Sequence, residues 1–277
     1  MGLRPNFVFS QSSLQDYLDC PRRFELRHVQ RVHWPALESE PALVQEKRQL
    51  QGQIFHRMVQ QHLLGVPAET LTCMDCEPDL ARWWHNYITA QPGSQRPGRP
   101  SIERELTVQL GGYRLAAKYD YLNVTTGESA LIIDWKTSAH RPSRAVLQSR
   151  IQTRVYLYVL VTASPGLNAG TPLRPDQVSM TYWFAEEPLQ PVTLQYSQAQ
   201  YEADQAYLEA LVQEILATPE HGYWMAATER PCRFCNYRSL CDRGVHAGQW
   251  DAREDAEDLS LDEPLEIDLD QLGEIAF

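Results

Sequence analysis

Ala130-Leu131-Ile132-Ile133-Asp134-Trp135-Lys136 is the stretch on which the fold turns. Four apolar residues, two of them β-branched, run without interruption into an acid, an indole and an amine. A turn containing Gly127 precedes them, so residues 130–135 are predicted to form a strand. On a strand, residues i and i+2 point to one face. Asp134 and Lys136 therefore share a face, and Trp135 turns the other way, into a core. A carboxylate beside an ammonium at a strand end suits metal binding combined with stabilisation of negative charge. By itself D-x-K is a common pattern.

The neighbouring hairpins sharpen it. Residues 102–110 and 113–122 alternate as strands around Gly111-Gly112, a strong two-residue hairpin signal. If the following hairpin is centred on Gly127, Asp120 stands opposite Asp134. Directly opposed side chains have Cβ atoms about 4.5–5.5 Å apart. Two carboxylates that close repel unless a cation joins them, and Mg²⁺ or Mn²⁺ prefers such oxygen ligands. Pairing around Gly111-Gly112 sets Glu103 opposite Asp120 and Glu105 opposite Lys118. The competing reading is a surface ladder of ion pairs.

Farther out, the period alternates between strand and helix. Ser12 and Gln15 form a capping-box pattern for a helix ending near Cys20, after which Pro21 can open another. Arg22, Arg23, Arg27 and Arg31 fall largely on one helical face, either solvated or contacting phosphate. Residues 42–64 read as a helix with Val44, Leu50, Ile54, Met58 and Leu63 at near-helical spacing. Residues 65–100 read as an insertion, thickening in Pro and Gly at 92–100. A long helix is predicted over 143–163, strands over 178–185 and 190–196, and a helix over 197–217. The fold class is α/β (α+β), a sheet flanked by helices.

Composition bounds the rest. Of 277 residues, 43% are hydrophobic and 22% charged, so collagen-like and wholly disordered chains are excluded. The densest apolar run, Val155 to Ala163, is far short of the roughly 20 residues that span a bilayer. No signal-peptide core follows Met1, so a soluble, cytoplasmic protein without a membrane partner is expected. The net charge of −11 is concentrated in residues 249–277. The remainder is near neutral, so nucleic acid is not excluded as a partner. The expected organisation is a folded domain over 1–248 and an acidic tail over 249–277. That tail interleaves acids with Leu259, Leu261, Leu265, Ile267, Leu269 and Leu272. It is too acidic and too sparsely apolar to fold alone. Three roles stay open: a solubilising end, a competitor for the active groove, or a dock for a partner protein. Lysine is rare, and Lys47, Lys118 and Lys136 are the only three.

Several motifs stand in order along the chain: Gly52-Gln53-Ile54-Phe55-His56 (G-x-x-x-H), Asp120, Asp134-Trp135-Lys136, and Gln152 with Tyr156 four residues on. In this order and with these gaps, the chain resembles the RecB-like branch of the PD-(D/E)XK nuclease superfamily. The resemblance runs from about Ser10 to Arg243. The family usually has Gly three residues before the metal Asp, where this chain has Ala117. The resemblance implies a restriction-endonuclease-like core with a central mixed sheet. It implies that Asp120 and Asp134 hold Mg²⁺ or Mn²⁺, helped by the Trp135 carbonyl and by His56. Lys136 would position or activate the attacking water, and Gln152 and Tyr156 would line the site and contact DNA. The implied activity is metal-dependent hydrolysis of DNA phosphodiesters, as an exonuclease in repair, recombination or CRISPR and defence processing. The alternative is a catalytically weak subunit that binds DNA or protein in a larger complex. No nucleotide-binding G-x-x-x-x-G-K-[ST] occurs, so unwinding would need a separate helicase partner.

Cys232-x-x-Cys235 with Cys241 makes a compact three-thiol group, and Cys20 is the candidate fourth ligand. One early and three late cysteines around such a core resemble the iron–sulfur branch of the family, which includes AddB-type and CRISPR-adaptation nucleases. That resemblance implies a [4Fe–4S] cluster binding a helical periphery together as a staple. A Cys₄ zinc site is the direct competitor. Cys73 and Cys76 sit in the insertion and are read as free thiols.

Overall fold

The protein is described by a computed structural model covering residues 3–32, 43–72, 77–93, 97–244 and 246. The acidic tail, Cys73 and Cys76 lie outside the described residues. Six strands form one mixed sheet: β1 (Val8–Phe9), β2 (Arg99–Leu110), β3 (Tyr113–Thr125), β4 (Ser129–Lys136), β5 (Val178–Phe184) and β6 (Val192–Gln195). β3 pairs antiparallel with β2 along its length and with β4 at its C-terminal end, and parallel with β1 at its start. β4 runs parallel to β5, and β5 antiparallel to β6. The connection from β4 to β5 is helical, as a parallel pair requires.

Helices cover both faces: α1 (Gln11–Asp19), α2 (Pro21–Phe24), α3 (Leu43–Leu63), α4 (Ala68–Leu71), α5 (Pro78–Ala90), α6 (Arg144–Ser149), α7 (Ile151–Ala163) and α8 (Gln198–His221). Two separate apolar clusters result. The larger lies between the sheet and α1, α7 and α8, and includes Leu14, Tyr119, Leu122, Ile132, Val155 and Leu208. The smaller lies between the other face, α3 and α5, and includes Phe55, Trp83, Tyr87, Tyr121, Trp135 and Trp183. Alternation along β4 feeds both: Ala130 and Ile132 enter the first, Leu131, Ile133 and Trp135 the second. Among the described residues, no helix is long and apolar enough to cross a membrane.

Both hairpin registers match the turn arithmetic, with Glu105 opposite Lys118 and Leu122 opposite Ile132. Two expected pairs, Glu103 with Asp120 and Asp120 with Asp134, are not ladder partners. Glu103 adopts a left-handed φ of 53°, and its carboxylate pairs with Lys118 Nζ at 2.6 Å rather than facing Asp120. At this point the pleat reverses. Leu115, Ala117 and Tyr119 point into the larger cluster and Tyr121 into the smaller, while on β2 Leu106 and Val108 pack on the larger and Ile102 on the smaller. Asp120 sits at the reversal, which period-two counting cannot foresee.

Other expectations are corrected. The first helix is capped by Ser10, in a reciprocal capping box with Ser13, and not by Ser12. The helix expected over 143–163 is two helices broken at Arg150, whose backbone is extended; Ser143 caps α6, and Thr153 Oγ1 donates to the Leu147 carbonyl across the break. Within the stretch 65–100, α5 supplies Trp83, Trp84 and Tyr87 to the smaller cluster. On α3 the spacing is half right, since Met58 is buried and Leu63 packs on the smaller cluster. Leu50 and Ile54 are 56% and 40% exposed, and Phe55 and Val59 are fully buried. The arginine face over 22–31 is largely paired internally, because the chain passes from α2 into a π-turn at Glu25–Val29. Arg23 and Arg27 contact Asp16, Arg23 also contacts Asp19, and Arg22 contacts Glu25.

Candidate active site

The C-terminal end of β4 brings four of the motifs together. Asp134 and Lys136, side by side on one face, are 3% and 4% exposed, and Lys136 Nζ lies 3.0 Å from Asp134 Oδ2. Gln152, in the first turn of α7, donates from Nε2 to Asp134 Oδ1 at 2.8 Å. Asp120 Oδ2 accepts from the Trp135 main-chain N–H at 3.0 Å and stands 3.5 Å from His56 Nδ1 on α3. The helix carrying His56 comes close because Gly52 faces the strand end; a Cβ there would meet Thr137 Oγ1 at 3.0 Å. Tyr156 is placed differently. It is buried one turn along α7 with its ring against Tyr119 at 5.1 Å, and its main-chain carbonyl accepts from the Tyr119 hydroxyl.

Burial and proximity oppose one another in this group. Burial pushes the Asp134 carboxyl up to about 6, aided by Asp120 and only partly offset by Lys136. Burial likewise works against ionised Asp120, but His56, the Trp135 N–H and Lys136 outweigh it, and its carboxyl titrates below the usual range. His56 is held up by Asp120 against the effect of burial. Two acids are thus forced together and two bases share the load, the arrangement in which carboxyl pKa values separate.

The donor set suits a hard divalent cation. Asp134 Oδ2 is buried and accepts no well-directed hydrogen bond, although the Lys136 ammonium is near. A buried carboxylate oxygen with lone pairs to spare is costly unless a cation uses it. As they stand, Asp120 and Asp134 are turned to His56 and Lys136. Among the described residues, no group of three or more His, Cys, Asp and Glu side chains is arranged to hold a metal ion without adjustment.

A family model described as the PD-(D/E)XK nuclease superfamily matches residues 8–242. The chain belongs to the PD-(D/E)XK nuclease superfamily. Its mixed sheet with helices on both faces accords with that membership. Among solved structures it is similar to a provisionally named exonuclease from Eubacterium rectale, at 11% identity over 80% of this chain and 85% of that one, with a TM-score of 0.49. It is also similar to the protein SSO0001, at 12% identity over 84% and 85% of the two chains, with a TM-score of 0.42. No curated protein matches by sequence.

The part matched to the superfamily ends one residue beyond Cys241, so it contains all four expected cysteine ligands. Cys20, Cys232, Cys235 and Cys241 line a single cavity, with Arg23, Arg238 and Arg243 in its wall. All four are free thiols. The Ala226 N–H donates to Cys20 Sγ at 3.4 Å, which draws the chain after α8 back onto the end of α1. Burial pushes the Cys235 thiol up to about 11 and raises Cys232 and Cys241 as well. Cys20 is buried and the other three are half-buried. Four such sulfurs facing one space among arginines are a donor set for a thiophilic metal group, which would displace the thiol protons on binding.

Several residues of this neighbourhood carried no signal in the sequence. Arg48 Nη2 donates to the Thr137 carbonyl at 3.0 Å, and Glu186 lies beside it at 3.7 Å. Neither belongs to a recognisable spacing, because each acts through the backbone or through another side chain.

Proposed function

We propose that this protein is a metal-dependent DNA nuclease that hydrolyses phosphodiester bonds, working as an exonuclease. The observation that carries the reading is the convergence of buried Asp134, Lys136 and Gln152 with half-buried Asp120 and His56 at one strand end in a chain of this superfamily. Asp120, Asp134, the Trp135 carbonyl and His56 would hold Mg²⁺ or Mn²⁺. The chemistry such a cation would supply is Lewis-acid polarisation of the phosphate and of the attacking water.

The chain's own groups do the rest. Gln152 fixes the rotamer of Asp134 through its amide N–H, with Oδ2 turned to the Lys136 ammonium. Lys136 presents a compact ammonium where negative charge develops on the phosphate, a task that preorganised charge in a buried site performs well. His56 and the Trp135 N–H aim Asp120. Tyr156 acts from beneath, by packing α7 on the sheet.

In the same proposal the four cysteines hold a [4Fe–4S] cluster that staples the chain after α8 to α1 and α2, with zinc as the competing occupant. Residues 1–248 are the nuclease domain in this reading, and the acidic tail is a solubilising end, a competitor for the groove or a dock for a partner protein. A helicase partner and a setting in repair, recombination or defence accord with the missing nucleotide-binding motif. The deciding experiment is incubation of anaerobically purified protein with end-labelled single- and double-stranded DNA in Mg²⁺, Mn²⁺ or EDTA. Cleavage that requires metal and proceeds from an end supports the reading. No cleavage of either DNA form under any condition defeats it.

A further inference from the structure

The structure assigns Arg48 the task of setting the distance between the two halves of the candidate metal site, an inference that deepens the nuclease reading and rests on it. The halves come from different layers. His56 is carried by α3, and Asp134 with Lys136 by the end of β4. Nothing in the sheet ladder connects them, since β4 pairs only with β3 and β5. Among the described residues, two contacts tie α3 to Thr137, the residue after the strand. One is the close approach of Gly52 to Thr137 Oγ1. The other is the Arg48 hydrogen bond to the Thr137 carbonyl, directly after Lys136.

Arg48 is itself held. Its guanidinium lies over the Trp83 ring at 5.8 Å and 3.7 Å from Glu186 Oε1. Arg82 grips the same Glu186 carboxylate through two nitrogens at 2.9–3.1 Å. The preceding residue, Ala185, donates its N–H to the Lys136 carbonyl at 2.8 Å, and Asn86 on α5 donates to the Ala185 carbonyl at 2.8 Å. Consecutive carbonyls, of Lys136 and Thr137, are therefore tied to two different elements, both braced by α5. A planar guanidinium fits this job because it can bond a carbonyl, face a carboxylate and lie over an indole at once, which an ammonium cannot. Arg48 acts through the Thr137 main chain and α3, so it is a positioning residue.

The test compares wild type with Arg48→Ala, Arg48→Lys and Glu186→Gln. Mn²⁺ binding is measured by calorimetry without DNA, cleavage by kcat and KM, and folding by thermal melts. Misplacing a reacting group by about 1 Å costs up to about a hundredfold in rate. Arg48→Ala is accordingly expected to weaken Mn²⁺ binding and lower kcat by about ten- to a hundredfold, with KM for DNA within about twofold. Arg48→Lys should restore part of both, and Glu186→Gln should give a smaller loss in the same direction. If Arg48→Ala fails to fold, Glu186→Gln decides alone. A variant that melts earlier but binds Mn²⁺ as wild type does overturns the inference and leaves Arg48 a stabilising residue. If wild type binds Mn²⁺ but cuts no DNA, the nuclease reading fails while the calorimetric comparison still decides the role of Arg48. If wild type binds no Mn²⁺, both fall.

Discussion

Trp135 donates its main-chain N–H to Asp120 Oδ2 at 3.0 Å, just beyond the last ladder pair between β3 and β4, Tyr121 with Ile133. Where strand pairing stops, a side chain takes over the role of a backbone acceptor. The contact turns the Asp120 carboxylate toward the strand end that bears Asp134 and Lys136. It also fixes Trp135, whose ring is buried on the other side of the sheet.

Asp134→Asn and Lys136→Met should each lower metal-dependent cleavage by at least about a hundredfold, the loss expected on removing a preorganised charge from a buried site. Both variants keep roughly the side-chain volume, so circular dichroism should match wild type. Cleavage at wild-type rates by either one would reject the site.

Acid should weaken the fold through Asp16. It is buried, and although burial raises its pKa, Arg23, His28 and Arg27 hold the carboxyl well below the usual range. A group with a lowered folded pKa contributes stability above its unfolded pKa of about 3.9 and loses it as pH falls toward the folded value. Thermal melts from pH 7 to pH 3 should show the wild type losing more stability than Asp16→Asn, which starts lower at pH 7. Parallel curves would contradict the assignment.

Protein purified without oxygen should be brown and contain iron and sulfide. Cys20→Ser or Cys235→Ser should bleach it and lower its melting temperature. Metal analysis that returns about one zinc per chain and no iron would replace the cluster with a Cys₄ zinc site.

On α3, Phe55→Ala should cost about 3–5 kcal/mol, because a fully buried ring leaves a cavity. Leu50→Ala, at an exposed position of the same helix, should stay within about 0.5 kcal/mol. Urea unfolding of the two variants is the check, and equal effects would mean that the helix packs by its other stripe.

The strand end was legible because Asp134 and Lys136 obey the simplest geometric rule, period two, and because Gly127 and Gly111-Gly112 fix hairpin registers by counting. The helix 143–163 was not, since the break at Arg150 arises from a hydrogen bond made by Thr153 that spacing does not encode. The buried stripe of α3 is legible at Met58 and Leu63 but not at its start, because Leu50 and Ile54 are as apolar as Phe55 and Val59; which set is covered depends on α5, distant in sequence. Arg48 and Glu186 were invisible for a different reason, as their roles exist only once three layers have met.

The pleat reversal at Glu103 and Asp120 also bears on how the hairpin avoids misfolding. An ordinary pair of alternating strands tolerates a slip of two residues, since every side chain keeps its face, and only an odd slip is punished. Here each strand carries its own point of reversal, and burial is satisfied on both sides only when the two points stand opposite one another. Even a slip of two would leave one strand crossing over before its partner and would strand apolar residues in solvent. The same kink that aims a carboxylate thus leaves the long β2–β3 hairpin a single acceptable alignment.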